Sequence, residues 1–129
     1  MSSQVINLIL VKNFIIGICF GSFFNVVIYR LPLNLSIVKP RSFCPKCKSM
    51  ITWRENIPLL SWLIQKGQCL NCGKNISLKY PLIEFLTGLF FIIFSFSSPE
   101  IHQSINNENF LNISSWIFFS IVFLISLID

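Results

Sequence analysis

The chain has few charged residues, little glycine or proline, and almost no aspartate. Only 12% of its 129 residues are charged and 53% are hydrophobic, whereas soluble domains carry about twice that charged share. An ordinary soluble globule is therefore disfavoured, and disorder is excluded. Five Gly and six Pro beside fourteen Phe argue against linkers and low-complexity repeats. The length bounds a single small domain or a piece of a larger protein, and its single Asp is the last residue, Asp129.

Hydrophobic residues are concentrated in three stretches, which predict an all-α membrane protein with three transmembrane helices. We expect these helices over residues 5–31, 80–97 and 110–129. Lys12 interrupts the first stretch, and Glu84 is the single charge in the second. A cleaved signal peptide is the alternative for the first, but a strongly basic start and a small-residue cleavage site are missing. The continuous apolar faces exclude a soluble amphipathic bundle.

Positive charge is concentrated between the first two predicted helices. Residues 30–79 carry nine basic residues and one acidic residue, Glu55, whereas residues 97–109 carry Glu100, Glu108 and His102 and no Lys or Arg. The positive-inside rule therefore predicts a cytoplasmic loop over 32–79, an external loop over 98–109 and an external N-terminus. Topology and lipid headgroups account for the net charge of +5, so we expect no nucleic-acid partner.

Four cysteines in the long loop form two Cys-x2-Cys pairs with 21 residues between them: Cys44, Cys47, Cys69 and Cys72. Two such pairs complete a tetrahedral, closed, structural zinc site, and the basic surroundings favour thiolates. Two disulfides are the alternative that a reducing cytoplasm disfavours, and a redox-active pair lacks the surrounding βαβ pattern. We expect the metal to supply part of the folding free energy of the loop.

Several polar residues stand within or beside the predicted helices. Glu84 lies one turn inside the second helix, where an ionisable group indicates function but also suits the helix dipole; Arg30 is a candidate charge partner. Gly21, Ser22 and Asn25 share one face of the first helix, a pattern typical of helix packing, with substrate contact as the lesser alternative.

The most apolar part of the loop is the segment from Asn56 to Ile64. We expect it to pack on the cysteine pairs or to dip into the membrane interface. Trp53 and Trp62 indicate interfacial anchoring or packing.

Five motifs occur in a specific order: GSFFNVVIYRLP at 21–32, PRSFCPKC at 40–47, NIPLLSW at 56–62, GQCLNC at 67–72 and YPLIE at 80–84. In order and spacing they resemble the N-terminal part of bacterial prepilin peptidases, the type IV leader peptidases. The resemblance covers the chain from Gly17 to Asp129. It implies a multi-pass enzyme of the bacterial inner membrane, in which the cysteine loop belongs to the bifunctional members.

The resemblance implies two activities at the cytoplasmic face. The family cleaves leader peptides from type IV prepilins and pseudopilins, and then methylates the new N-terminus with S-adenosylmethionine. Hydrolysis uses two membrane-embedded aspartates, and Asp129 matches the position of the first. From the residues alone, Asp129 would be a solvated helix end. No recognisable motif for S-adenosylmethionine is present, so its site stays unknown.

The chain departs from the family in lacking a second Asp and the Gly-x-Gly-Asp motif that carries it. We therefore expect a truncated chain that does not cleave prepilin alone and that pairs with a separate C-terminal half. The alternative is a non-catalytic, zinc-stabilised membrane module that binds pilin-like partners or the missing half.

Overall fold

A computed structural model describes residues 3–97, and this part of the chain is mostly helical. The helices are α1 (Ser3–Arg30), α2 (Leu60–Ile64) and α3 (Lys79–Ser97), with 3-10 turns at Leu31–Leu33 and Arg54–Asn56. Two isolated β-bridges, Phe43 to Met50 and Gln68 to Asn75, close short loops between α1 and α3. The predicted external loop, third helix and Asp129 lie outside the described residues.

Helix α1 is the longest element, and its 28 residues correspond to about 42 Å. Within the described residues, one segment, Ile6–Leu33, is long and apolar enough to cross a membrane. The helix ends at Arg30, a basic residue that suits the negative end of the helix dipole. Pro32 follows within the 3-10 turn, and Asn34 closes it in the left-handed conformation with its N–H bonded to Leu31 O at 3.0 Å.

Helices α1 and α3 pack antiparallel through small residues. A Cβ atom on Gly17 would lie 2.7 Å from the Cα atom of Gly88, and one on Gly21 would lie 2.6 Å from the Cα atom of Glu84. Because these distances are too short for any side chain, the two glycines allow backbone contact between the helices. Glycines one turn apart therefore determine how closely α3 approaches α1.

The rest of the helix interface combines apolar packing with two internal hydrogen bonds. Thr87 is fully buried and donates its hydroxyl to Ile83 O at 2.7 Å. Asn25 is also buried and donates from Nδ2 to Tyr80 O at 3.1 Å, which joins the last turns of α1 to the first turn of α3. Further buried apolar side chains complete the interface: Phe24, Val27 and Phe91. The expected helix-packing role of the face carrying Gly21 and Asn25 agrees with these contacts.

The loop between the two long helices is held mainly by backbone hydrogen bonds. Trp62 packs closely on Gly67, where a Cβ on the glycine would lie 2.8 Å from the indole ring. The indole Nε1 donates to Ile76 O at 3.2 Å. Gly67 has φ +67, which glycine adopts without a steric penalty. Trp62 therefore packs within the loop and links α2 to the strand-like segment before α3.

The close contact at Gly21 predicts that a larger side chain there destabilises the packing of α1 on α3. Gly21→Val should lower the stability of the protein by about 1–3 kcal/mol, because the added side chain must push α3 away from α1. The measurement is thermal or denaturant unfolding of the chain in detergent micelles. Cys19→Val is the matched control, since it places the same side chain in the same turn at an exposed position. Equal stability of the two variants would contradict this packing.

Candidate functional site

The first cysteine pair forms a tight knuckle after α1. The Cys44 N–H donates to Ser49 O and the Lys48 N–H donates to Cys44 O, both at 2.9 Å. Lys48 has φ 61, in the left-handed region that costs a non-glycine residue about 1–2 kcal/mol. Its ammonium lies 5.2 Å from the centre of the Phe43 ring, a favourable contact that offsets part of this strain.

The second pair repeats the same hydrogen-bond pattern before α3. The Cys69 N–H donates to Lys74 O at 2.9 Å, and the Gly73 N–H donates to Cys69 O at 2.8 Å. Gly73 has φ +65 and holds the place that Lys48 holds in the first knuckle. Each knuckle is closed by one of the two β-bridges. Two equivalent turns therefore present their cysteines in the same local geometry.

The two knuckles face each other and bring four sulfur atoms together. The Sγ atoms of Cys44, Cys47, Cys69 and Cys72 all lie within 4.8 Å of one another. The Cys44 and Cys72 sulfurs are 4.0 Å apart, close to the roughly 3.8 Å edge of a tetrahedral site with Zn–S bonds of about 2.3 Å. All five cysteines lie in the described part of the chain, and none forms a disulfide. The cluster can hold a metal ion.

Hydrogen bonds, burial and the neighbouring thiols shift the pKa values of three of the four cysteines in different directions. The Ser49 hydroxyl, the Ser49 amide and the Asn71 side chain lower the pKa of Cys47 to about 6; the Ser49 and Asn71 donors lie 3.0 and 3.6 Å from its Sγ. The backbone amides of Cys72 and Asn71 lower the pKa of Cys69. For Cys72 the Lys74 amide lowers the pKa, but burial and the three other thiols outweigh it and raise the pKa to about 11.

Four thiolates so close together repel one another unless a cation neutralises them. The donor set fits zinc: four cysteine sulfurs in two Cys-x2-Cys turns. Since all four positions are filled by protein, the arrangement suits a structural ion with no place for substrate.

Arg30 connects the end of α1 to the first knuckle. It is buried, and its Nη1 and Nη2 donate to Ser36 O at 2.9 Å and to Arg41 O at 3.2 Å. Its guanidinium carbon also lies 5.4 Å from the centre of the ring of Phe43, the residue that precedes Cys44. The proposed charge partnership with Glu84 is not among these contacts. Arg30 instead satisfies backbone carbonyls of the segment that leads from α1 into the knuckle.

Glu84 connects the start of α3 to the middle of the loop. The residue is only 8% exposed, and its Oε2 accepts the Leu59 N–H at 2.8 Å. Leu59 has φ 62 and ψ −51, and the Leu60 N–H bonds to Pro58 O at 2.7 Å. These values define a γ-turn of the rare, strained form. A buried carboxyl group thus holds a strained turn against the helix pair.

A cavity of about 370 Å³ lies between the helix ends, α2 and the knuckles. Its walls include the polar residues Ser22, Asn25, Tyr29, Glu55 and Glu84 together with Trp62, Cys44 and Cys69. The size is within the range of small-molecule sites. Three sequence-predicted residues, Asn25, Arg30 and Glu84, therefore line one space beside the cysteine cluster. Asp129 lies outside the described residues.

Sequence reasoning missed three residues that shape this site. Ser49 and Asn71 bond to the Cys47 sulfur. Their positions, just after the first Cys-x2-Cys pair for Ser49 and inside the second for Asn71, could have indicated this role. Leu59 was missed because nothing in a leucine indicates a positive φ.

Comparisons with known proteins support a single family. The family described as Bacterial Peptidase A24 N-terminal domain matches residues 15–98, which includes most of α1, both knuckles and α3. The prepilin leader peptidase/N-methyltransferase of Myxococcus xanthus is 59% identical over 78 residues, which covers 60% of this chain and 23% of that protein. The enzyme of the same name from Klebsiella pneumoniae is 50% identical over 86 residues, covering 62% of this chain and 38% of that protein.

A type 4 prepilin-like proteins leader peptide-processing enzyme of Escherichia coli is 44% identical over 102 residues, with 65% of this chain and 38% of that protein covered. The chain thus matches between 23% and 38% of the length of these three relatives. No solved structure matches the chain. The resemblance noted from the motifs is confirmed: the chain belongs to the bacterial peptidase A24 family, through the N-terminal domain of that family.

Proposed function

We propose that this chain supplies the N-terminal part of a prepilin peptidase of the bacterial inner membrane. The observation that carries the proposal is the 59% identity with a prepilin leader peptidase/N-methyltransferase, within a family match that spans the helix pair and the cysteine cluster. The substrates are type IV prepilins or pseudopilins, and the second reaction is methylation of the processed N-terminus from S-adenosylmethionine. Transfer of labelled methyl groups to processed pilin tests that second reaction.

In this proposal α1 and α3 both cross the bilayer, as does the predicted helix over 110–129. The basic loop is cytoplasmic and the N-terminus external. Two features support this arrangement. Segment Ile6–Leu33 has the length and composition of a membrane span, and the outer faces of α1 and α3 expose large apolar side chains, among them Leu8, Ile15, Leu82 and Ile93.

Zinc is the ion we propose for the four-cysteine cluster. When bound, it supplies positive charge that stabilises four adjacent thiolates and cross-links the two knuckles. The protein contributes donors that favour the thiolate form, including Ser49 and Asn71 at Cys47. The ion is structural, and the loop it holds lies directly against the cytoplasmic ends of α1 and α3.

Asp129 is the proposed first member of a catalytic carboxylate pair. Aspartic proteolysis needs two carboxyl groups that share a proton, one to activate water and one to polarise the scissile carbonyl. Asp129 is the single Asp of these 129 residues, so the partner must come from a second chain or a further segment. The competing proposal is a non-catalytic module, in which the same loop and helices bind a pilin-like partner or the C-terminal half.

The zinc proposal predicts that the purified chain retains about one zinc ion and that Cys72→Ser loses it, because three thiolates leave a tetrahedral site incomplete. Metal analysis after desalting measures this. Cys19→Ser is the control, since Cys19 lies in α1 outside the cluster. Because protons compete with the metal for thiolates, zinc should be released as the pH is lowered. A metal-free protein with four freely titrating thiols would contradict the proposal.

The catalytic proposal predicts that co-expression with a downstream half carrying a Gly-x-Gly-Asp motif yields leader cleavage of a prepilin in membranes. Asp129→Asn should abolish that cleavage while leaving expression and zinc content unchanged. An Asp129→Glu variant distinguishes loss of the carboxyl group from loss of its position. Cleavage that survives Asp129→Asn would refute the role of this residue, and binding of the two halves without cleavage would favour the non-catalytic module.

A further inference from the structure

Several apolar side chains of the loop are exposed on one side of α2. Ile57 and Leu60 are exposed, and Leu63 and Ile64 are 63% and 77% exposed. In contrast, Ser61 and Trp62 are half-buried and bond to backbone carbonyls of the loop, Ser61 to Ile57 O at 2.7 Å and Trp62 to Ile76 O at 3.2 Å. Residues 57–64 therefore have one polar side that faces the protein and one apolar side that does not.

This segment lies against the helix pair and contacts α3 below its first turn. Leu59 bonds to Glu84. Glu84 lies five residues after Lys79, the first residue of α3, which places it about 7.5 Å from the start of the helix along its axis. Pro58 also lines a second cavity whose wall follows the last turns of α1, from Cys19 to Arg30. The loop chain thus descends alongside the helices before it returns to the second knuckle.

Basic residues at the ends of membrane helices lie in the headgroup region, and Arg30 and Lys79 hold these positions in α1 and α3. Leu59 then bonds to a residue about 7.5 Å below the level of the headgroups, within the roughly 5–10 Å to which interfacial helices bury their apolar faces. We infer that residues 57–64 insert into the membrane interface and place Leu60, Leu63 and Ile64 among lipid acyl chains. This inference rests on the proposed membrane spans of α1 and α3.

The backbone of the segment is prepared for such a site. Little water reaches this depth, so N–H groups need acceptors within the protein. The Leu60 N–H donates to Pro58 O at 2.7 Å and the Ser61 N–H to Ile57 O at 3.0 Å. The Leu59 N–H has no such carbonyl and donates to Glu84. A buried carboxyl group and a strained γ-turn therefore have a shared explanation, because together they satisfy a backbone donor below the membrane surface.

The charges around the segment complement a membrane with anionic lipids. Arg54 and Lys66 are exposed on either side of it. The one acidic residue of the loop, Glu55, accepts hydrogen bonds from the Thr52 amide and hydroxyl at 2.8 and 2.6 Å. Apolar side chains flanked by basic residues are typical of interfacial segments. This pattern suits an anionic lipid surface and disfavours a basic protein partner.

Depth-dependent fluorescence quenching tests the inference on the full chain in nanodiscs that contain anionic lipid. A small fluorescent non-natural amino acid replaces Ile64, and lipids carry a nitroxide either near the headgroup or near the middle of the acyl chain. Leu70, which is similarly exposed but lies in the second knuckle, is the matched control. Ile15, exposed in the middle of α1, reports whether that helix spans the bilayer. Circular dichroism checks that each labelled chain keeps its helices.

We expect the nitroxide near the headgroup to quench the probe at 64 at least about twofold more than the probe at 70, and the mid-chain nitroxide to quench the probe at 15. Equal quenching at 64 and 70, with normal quenching at 15, would overturn the inference and leave the membrane spans intact. Absence of quenching at 15 would overturn both. If residues 110–128 or another protein covered the segment, lipid nitroxides would not quench the probe at 64, and this result would also overturn the inference.

Discussion

The hydrogen bond from the Leu59 amide to the Glu84 carboxyl group joins the two halves of the structure. On one side is a pair of antiparallel helices held by glycine contacts, and on the other a loop with little apolar core. A hydrogen bond to a carboxylate contributes about 1.5–3 kcal/mol, and leaving a buried N–H without an acceptor costs a similar amount. This contact therefore fixes the segment before α2 on the helix pair, while Arg30 ties the other end of the loop to α1.

The loop needs such external support because its own interior is small. In the described part of the loop, two residues are buried. One is Cys44, the one buried apolar side chain, and the other is Gly67. Contacts at a few points take the place of a core. The sulfur atoms of the two knuckles meet in one cluster, Arg30 bonds to the segment between α1 and the first knuckle, and Trp62 bonds to the segment before α3. These contacts surround the 370 Å³ cavity at the ends of α1 and α3.

The sequence predicted what depends on residue type and spacing, and little of what depends on backbone strain. Cys-x2-Cys spacing was enough to predict the four-sulfur cluster, since each pair closes a turn of fixed length. Small residues on one face of α1 indicated the helix contact, but the partner Gly88 required the structure. Pairing Arg30 with Glu84 was a reasonable expectation from opposite charges near two helix ends. The structure instead gives both side chains backbone partners, Ser36 O and the Leu59 N–H, because the intervening loop folds between them.

Amide hydrogen exchange over residues 57–65 tests most directly the claim that Glu84 fixes the loop on the helix pair. Glu84→Ala removes the acceptor, whereas Glu84→Gln keeps an oxygen for the Leu59 N–H and serves as the matched variant. With the metal still bound, exchange in this segment should rise about tenfold or more in Glu84→Ala and stay near the wild-type rate in Glu84→Gln. Unchanged exchange in Glu84→Ala, or an equal increase in both variants, would contradict the account.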